Sequence, residues 1–277
     1  WAFIIHARGR RVVYDVHEDV PVQILSKPWI PRLLRKPISF LFNIAEKSIA
    51  KSLSGIVAAT PYIARKFQRY NKSTVVINNY PLRDEFLVCS KAVKDPRKIC
   101  YVGGITRERG IVELLDAMQF VHSGAKLYIA GTILDDDLER KVKNSQNVVY
   151  LGYLDRAALV RLYSDAALGL VTLHPLPNYK LAQPVKLYEY LSAGLCVLAS
   201  DFPEWQKLVN GNGIGLCVDP LNVQAIASAI DSLVTDSMRI QEMGKKGRQI
   251  IETAWNWESE ATTLLAFYEY LIGPKKK

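Results

Sequence analysis

Gln183-Pro-Val-Lys-Leu-Tyr-Glu-Tyr-Leu-Ser-Ala-Gly194, continuing as Leu195-Cys-Val-Leu-Ala199, decides the fold class. Pro184 suits the first position of a helix, and Gly194 sits where a helix closes. The apolar run after the glycine reads as a short buried strand. Another apolar run, Leu168 to Leu173, lies upstream. A helix therefore starts at the carboxyl end of one strand and feeds the next.

Moving outward, the alternation repeats from Lys98 onward. Ile99 to Val102, Lys126 to Ala130, Val148 to Leu151 and Gly215 to Val218 read as further buried strands, with amphipathic stretches at Ile111 to Phe120 and Asp155 to Tyr163. Such alternation means βαβ units and a parallel sheet covered on both faces. Asp219 and Pro220 predict an N-cap and first turn for a helix through Leu233, with further helices near Met238 to Met243 and Glu258 to Leu271. Before Lys98 the same material is scarcer: strands at Arg11 to Val16, Gly55 to Ala59 and Thr74 to Ile77, and helices at Ile38 to Leu53 and Pro61 to Tyr70. The expected organisation is two Rossmann-like, doubly wound α/β domains. Residues 1–85 form a partial first domain, 86–97 a linker, 98–254 a complete second domain, and 255–277 a helix packing back toward the first. Two complete domains need about 300–400 residues. The chain opens on Trp1, and sequence is expected to precede it.

Composition narrows the class. The 277 residues are 49% apolar and 23% charged, which excludes disorder and collagen-like repeats. Four scattered cysteines, without C-x-x-C pairs, give no structural zinc signature and suit a reducing cytosol. The net charge of +9 is uneven: residues 1–95 carry 16 Lys/Arg against 7 Asp/Glu, while the rest carries 20 of each. Such a field attracts polyanions, among them nucleic acid, anionic lipid and phosphorylated substrates.

Three segments carry the candidate chemistry. At the start of the Pro184 helix, unpaired N–H groups of Val185 and Lys186 and the positive end of the helix dipole suit a phosphate. Lys186 adds a formal charge there, and Glu189 is the residue type that accepts from ribose hydroxyls. A solvated acid and lysine on a helix surface fit the same pattern. In Tyr101-Val-Gly-Gly-Ile-Thr-Arg-Glu-Arg-Gly-Ile111, a strand ends in Gly103-Gly104, where a backbone can approach a ligand closely. Arg107 and Arg109 follow and can grip phosphate oxygens; a glycine turn with solvated arginines also fits. Finally, His17 follows the strand in Val12-Val-Tyr-Asp-Val-His-Glu-Asp19, placed to orient or exchange a proton with a hydroxyl, or else to rest at the surface. His174, in the loop before Pro184, is a weaker candidate for ligand contact.

Taken together, YDVHEDVP (residues 14–21), YVGGITRERGI (101–111) and PVKLYEYLSAGLCVLASDFPEW (184–205) resemble the retaining GT-B glycosyltransferases of family 4. More narrowly, they are similar to its bacterial cell-surface polysaccharide branch. The resemblance runs over nearly the whole chain, with the motifs in order.

It implies a GT-B fold and transfer of a sugar from a nucleotide donor to a glycan or polyprenyl-linked acceptor. By resemblance, Arg109 contacts the donor diphosphate with Arg107 assisting, since Gly104 stands where the family often has a basic residue. Glu189 matches the second Glu of the family's E-x7-E pattern and is implied to hold the donor ribose. The first Glu falls on Leu181, leaving Asn178, Tyr179 and Gln183 as the polar candidates near the transferred sugar. His17 matches the family's histidine beside donor and acceptor. The implied mechanism needs no metal and no resident cofactor. Asp135-Asp136-Asp137 reads as a helix start rather than a metal motif.

Residues 27–37, Lys-Pro-Trp-Ile-Pro-Arg-Leu-Leu-Arg-Lys-Pro, interleave cations with apolar side chains. They suit contact with an anionic membrane surface, as well as the cationic start of a packed helix. The location implied is cytoplasmic, peripheral at the inner face of the cell membrane. Two rival readings are a truncated GT-B protein that binds nucleotide without transferring, and a sugar-nucleotide epimerase on the same fold. The epimerase needs further acids and histidines that the sequence does not supply. No nucleic-acid partner is expected, because no recognised motif accompanies the basic charge.

Overall fold

The computed structural model describes residues 9–27 and 29–273; Pro28 of the 27–37 segment lies outside these. Within them the chain divides into two compact units. The first holds residues up to Asn79, residues 181–183 and a C-terminal helix; the second holds Tyr80–Lys180 and Pro184–Asn256.

The first unit has a three-stranded parallel sheet in the order β1 (Val13–Val16), β2 (Gly55–Ala58), β3 (Thr74–Val76). Helix α1 (Val20–Ser26) follows β1, α2 (Arg32–Ser52) precedes β2, and α3 (Pro61–Gln68) joins β2 to β3. Thr60 caps α3 by accepting from Ile63 N–H at 3.2 Å. A small core of Val16, Ile56, Ala58, Ile63 and Phe67 holds the layers together. Beneath it lies an ion cluster: Lys66 Nζ is 2.6 Å from Glu46 Oε2 and 2.9 Å from Asp19 Oδ1.

Helix α2 begins six residues before the expected Ile38 and carries Pro37 inside it. The carbonyl that Pro37 cannot serve, that of Leu33, lies on the outward face, where water reaches it. The C-terminal helix, Trp257–Ile272, belongs to this unit: Glu260 accepts from Asn78 N–H at 2.8 Å, and Phe267 and Leu271 crowd against Gly55.

The second unit opens with the short helix α4 (Leu87–Ser90), followed by β4 (Asp95–Val102). Much of the stretch 86–97 is therefore built into this unit rather than serving as a free linker. The reason is visible in its apolar residues: Phe86 and Cys89 are fully buried, three positions apart, and Phe86 packs edge-on against Tyr163.

Next come α5 (Ile111–Ala117), β5 (Lys126–Ala130), α6 (Asp136–Asn144), β6 (Val148–Tyr150), α7 (Arg156–Asp165) and β7 (Ala166–Val171). They are followed by α8 (Pro177–Lys180), α9 (Val185–Ser192), β8 (Cys196–Ser200), α10 (Pro203–Val209), β9 (Gly215–Val218), α11 (Val223–Val234) and α12 (Ser237–Thr253). The strands form one parallel sheet in the order β6-β5-β4-β7-β8-β9. Side chains alternate across it: Leu168, Leu170 and Leu198 enter one core, Val171, Val197 and Ala199 the other. This is the doubly wound pattern, and the strand order reverses between β4 and β7, where open α/β sheets bind ligands.

Two expected helix starts shift. Pro184 is the residue before α9 rather than its first turn, with ψ of 125°. Asp219 and Pro220 form a turn in which Asp219 accepts from Leu221 N–H, and Asn222 caps α11 instead, by accepting from Ala225 N–H at 3.0 Å. Asp135 caps α6, accepting from Leu138 N–H at 2.9 Å. All four cysteines are free thiols, and Cys89, Cys100 and Cys196 are buried.

Candidate functional site

At the reversal point, the loop after β4 and the loop after β7 are fastened together. Gly110 adopts φ of 73° and lies so close to Thr172 that an added Cβ would fall 1.8 Å from its carbonyl oxygen; only glycine fits. His174 N–H donates to Glu108 O at 3.0 Å, and its Nε2 is 2.9 Å from Glu113 Oε2. His174 thus spends its side chain on tethering this loop to α5.

Helix α9 docks on the same point through Tyr190. Its ring fills the space left by Gly169 of β7, where a Cβ would lie 2.3 Å from Cδ2, and its hydroxyl accepts from Val102 N–H at 2.9 Å. One turn earlier on the same face is Lys186.

The docking drives Lys186 into the loop after β4. Its Nζ is buried with no hydrogen-bond partner and sits 3.8 Å from the centroid of the Tyr101 ring. A Cβ on Gly103 would lie 2.9 Å from that Nζ and 3.3 Å from Arg109 Nη1, so both cations converge on one backbone point. Gly103 has φ of 130°, which keeps the position open for close approach.

Arg109 is braced by hydrogen bonds to the Tyr101 and Tyr179 hydroxyls, and Tyr101 donates onward to Gly104 O at 2.8 Å. Burial pushes the Tyr101 phenol up to about 12. Burial first, and then the Arg109 guanidinium, push the Lys186 ammonium well below the ordinary lysine value. Thr172 Oγ1 and Asn178 Oδ1 are also buried without partners in this unit. Unpaired buried polar atoms are rare in folded proteins, and Thr172 Oγ1 is one that lies against Gly110, the residue after Arg109. Two cations converging on one backbone point give the site a charge that suits an anion.

Of the residues marked in the sequence, the structure brings together Gly103, Gly104, Arg109, Tyr179 and Lys186. Val185 and Lys186 open α9, so their N–H groups have no intrahelical acceptor.

Arg107 departs from expectation. Its Nε donates to Asp135 Oδ2 at 2.8 Å, and its side chain is half exposed. Residues 107–109 form a 3-10 turn, which sends side chains two positions apart in different directions. Asp135 claims the first arginine and leaves the second to the glycines. Glu189 is mostly covered and already engaged, accepting from Arg156 Nη1 at 3.1 Å and from Tyr163 Oη at 3.4 Å. No motif in the sequence pointed to Arg156, which stands 33 positions from Glu189.

Gln183 and His17 belong to the first unit. Gln183 Oε1 is buried without a partner. His17 is exposed, with Nε2 3.3 Å from Asp15 Oδ2 and Nδ1 3.2 Å from Asn79 Nδ2.

Comparison with known proteins gives a family match: glycosyl transferases group 1, over residues 83–250. Glycogen synthase of Mycobacterium tuberculosis is 24% identical over 180 residues, covering 62% of this chain and 42% of that protein. A GDP-mannose-dependent alpha-(1-6)-phosphatidylinositol monomannoside mannosyltransferase of the same organism is 33% identical over 79 residues, covering 28% of this chain and 20% of that protein. The chain thus spans less than half the length of these curated relatives.

Among solved structures, sucrose-phosphate synthase from Thermosynechococcus elongatus superposes with a TM-score of 0.72 at 22% identity, covering 96% of this chain and 70% of that one. Anabaena Alr3699/HepE in complex with UDP gives a TM-score of 0.74 at 14% identity, covering 97% and 75%. These likenesses establish the fold, two parallel-sheet α/β domains of the GT-B type.

Proposed function

This chain belongs to the glycosyl transferases group 1 family, and from that premise we propose that it acts as a retaining family 4 enzyme of the cell-surface polysaccharide branch. It moves a sugar from a nucleotide donor to a glycan or polyprenyl-linked acceptor. One observation carries the reading: the buried, unpartnered Lys186 ammonium facing Arg109 across Gly103.

The donor diphosphate lies against Gly103 and Gly104, with Lys186, Arg109 and the first amides of α9 as its donors. As the bond from the anomeric carbon to the diphosphate oxygen breaks, negative charge grows on that oxygen. Fixed donors in a water-poor site stabilise it without reorganising. The acceptor oxygen forms its bond to the same face of the anomeric carbon, which retains the configuration, and the hydroxyl proton leaves with the diphosphate. Glu189 accepts from the ribose hydroxyls. Asn178, Tyr179 and Gln183 are the polar contacts for the transferred sugar, in place of the acid replaced by Leu181. His17 is proposed as the group beside donor and acceptor, and Arg107 as a solvent-side helper paired with Asp135.

Membrane contact through residues 27–37 belongs to the same reading. Trp29 and Leu33 are strongly exposed, and Lys27 Nζ lies 4.9 Å over the Trp29 ring. Among the described residues, no helix is long and apolar enough to cross a membrane. Peripheral work at the cytoplasmic face is part of the same proposal, and the exposed Trp29 and Leu33 among cations support it.

Calorimetric titration with UDP, GDP and ADP tests the donor assignment. One of them binds, and Arg109→Ala weakens it at least about tenfold, the loss of one charge-assisted hydrogen bond or more. Absence of binding by all three would reject the assignment.

A further inference from the structure

Arg156 lies outside every segment that the sequence marks for chemistry, yet it grips one of the marked residues. It is the first residue of α7, and its guanidinium rests 4.5 Å over the Phe86 ring. Nη1 donates to Glu189 Oε1 at 3.1 Å, while Nη2 pairs with Glu85. Tyr163 Oη donates to the other oxygen, Glu189 Oε2, at 3.4 Å. Tyr163 is itself fixed, fully buried and edge-on to Phe86 and Tyr190 at 5.2 and 5.5 Å. One aromatic block therefore seats both donors that hold the Glu189 carboxylate.

The two donors leave part of the carboxylate's capacity open. An ionised carboxylate offers about four lone-pair sites, and two are taken. The remaining pair, one on each oxygen, suits two adjacent hydroxyls. That geometry survives only if the carboxylate plane is fixed, because the terminal torsion of a glutamate is otherwise broad. Arg156 also stands between Glu189 and Glu85; without it, two carboxylates would face each other with no cation between them.

We propose that Arg156 is a positioning residue that sets the Glu189 carboxylate to accept both hydroxyls of a nucleotide ribose, touching no ligand itself. The inference rests on the ribose role of Glu189 given under the proposed function.

The test titrates wild type, Arg156→Gln, Glu189→Gln and the double variant with three probes. These are the nucleoside diphosphate that binds, its 2′,3′-dideoxy counterpart and inorganic pyrophosphate. Arg156→Gln weakens the ribose-bearing ligand about five- to tenfold and leaves the other two within about twofold, as expected for one misplaced hydrogen-bonding group. The double variant binds no worse than Glu189→Gln alone, because the two residues act as one unit.

Arg156→Lys, which keeps the charge but loses the planar fork, lies between wild type and Arg156→Gln. It also serves as the comparison if circular dichroism shows Arg156→Gln unfolded. Equal weakening of pyrophosphate, additive losses in the double variant, or no loss at all would overturn the proposal. A wild-type protein that binds pyrophosphate but ignores the ribose hydroxyls refutes the Glu189 role. One that binds none of the probes refutes the donor site itself.

Discussion

Replacing Lys186 with methionine should make the unliganded protein more stable while destroying its grip on a diphosphate. The ammonium is buried, without a hydrogen-bond partner, and the Tyr101 ring 3.8 Å away together with the charge of Glu189 offsets only part of that. A desolvated cation–π contact contributes about 2 kcal/mol. An unpaired buried ion costs several kcal/mol even after relaxation. Methionine keeps the length of the side chain and fills the slot with soft apolar atoms. The difference leaves a gain of about 1–2 kcal/mol, or roughly 3–6 °C in melting temperature for units of this size.

The pH dependence has a definite sign. In the folded chain the Lys186 pKa lies well below its ordinary value, so over the window between the two the unfolded chain holds a proton that the folded chain has released. Stability of the wild type therefore falls as pH drops below about 10.4, the ordinary lysine value. The advantage of Lys186→Met widens correspondingly from pH 10 toward neutrality. The assay is thermal unfolding followed by circular dichroism between pH 7 and 10, with parallel calorimetric titration of the nucleoside diphosphate. A variant that melts lower than wild type, or that still binds the diphosphate with unchanged affinity, would refute the reasoning.

Three further outcomes are expected. Gly103→Ala places a methyl group 2.9 Å from Lys186 Nζ at φ of 130°. It should cost about 1–2 kcal/mol of stability by thermal melting and weaken pyrophosphate binding as well. Lys66→Met leaves Glu46 buried without its cation, so urea unfolding should show a loss of about 3–5 kcal/mol, largely recovered when Glu46 is also made apolar. Flotation on vesicles containing anionic lipid should carry the protein upward. Reversing Lys27, Arg32, Arg35 and Lys36 to glutamate should cut vesicle affinity at least a hundredfold, at about 1 kcal/mol per cation. Retained flotation would exclude this segment as the contact.

The fold was legible because its signals are local. Six short apolar runs separated by amphipathic stretches predicted the strands of the second unit, and each is present in the sheet. Helix boundaries were less legible, because neighbouring residues compete for the same role. Asp219 and Asn222 are both good caps, and only the turn formed around Pro220 hands the task to Asn222.

The site was partly legible for the same reason. Gly103, Gly104, Arg109 and Lys186 stand next to strand ends or helix starts, which are recognisable positions. The rest depended on contacts that sequence spacing does not encode. Arg107 and Arg109 look alike in the chain, and the choice between them was made by Asp135, 28 positions from Arg107. That Lys186 is buried follows from Tyr190 seated on Gly169, and that Glu189 is already held follows from Arg156, 33 positions away.

The most direct test of the proposed donor site is a crystal structure of the protein with the nucleoside diphosphate that calorimetry finds to bind. The account predicts phosphate oxygens within hydrogen-bonding distance of Lys186 Nζ and Arg109 Nη1, against the backbone of Gly103 and Gly104, with the ribose hydroxyls on Glu189. A nucleotide seated elsewhere, with Lys186 still unpartnered beside Tyr101, would contradict it.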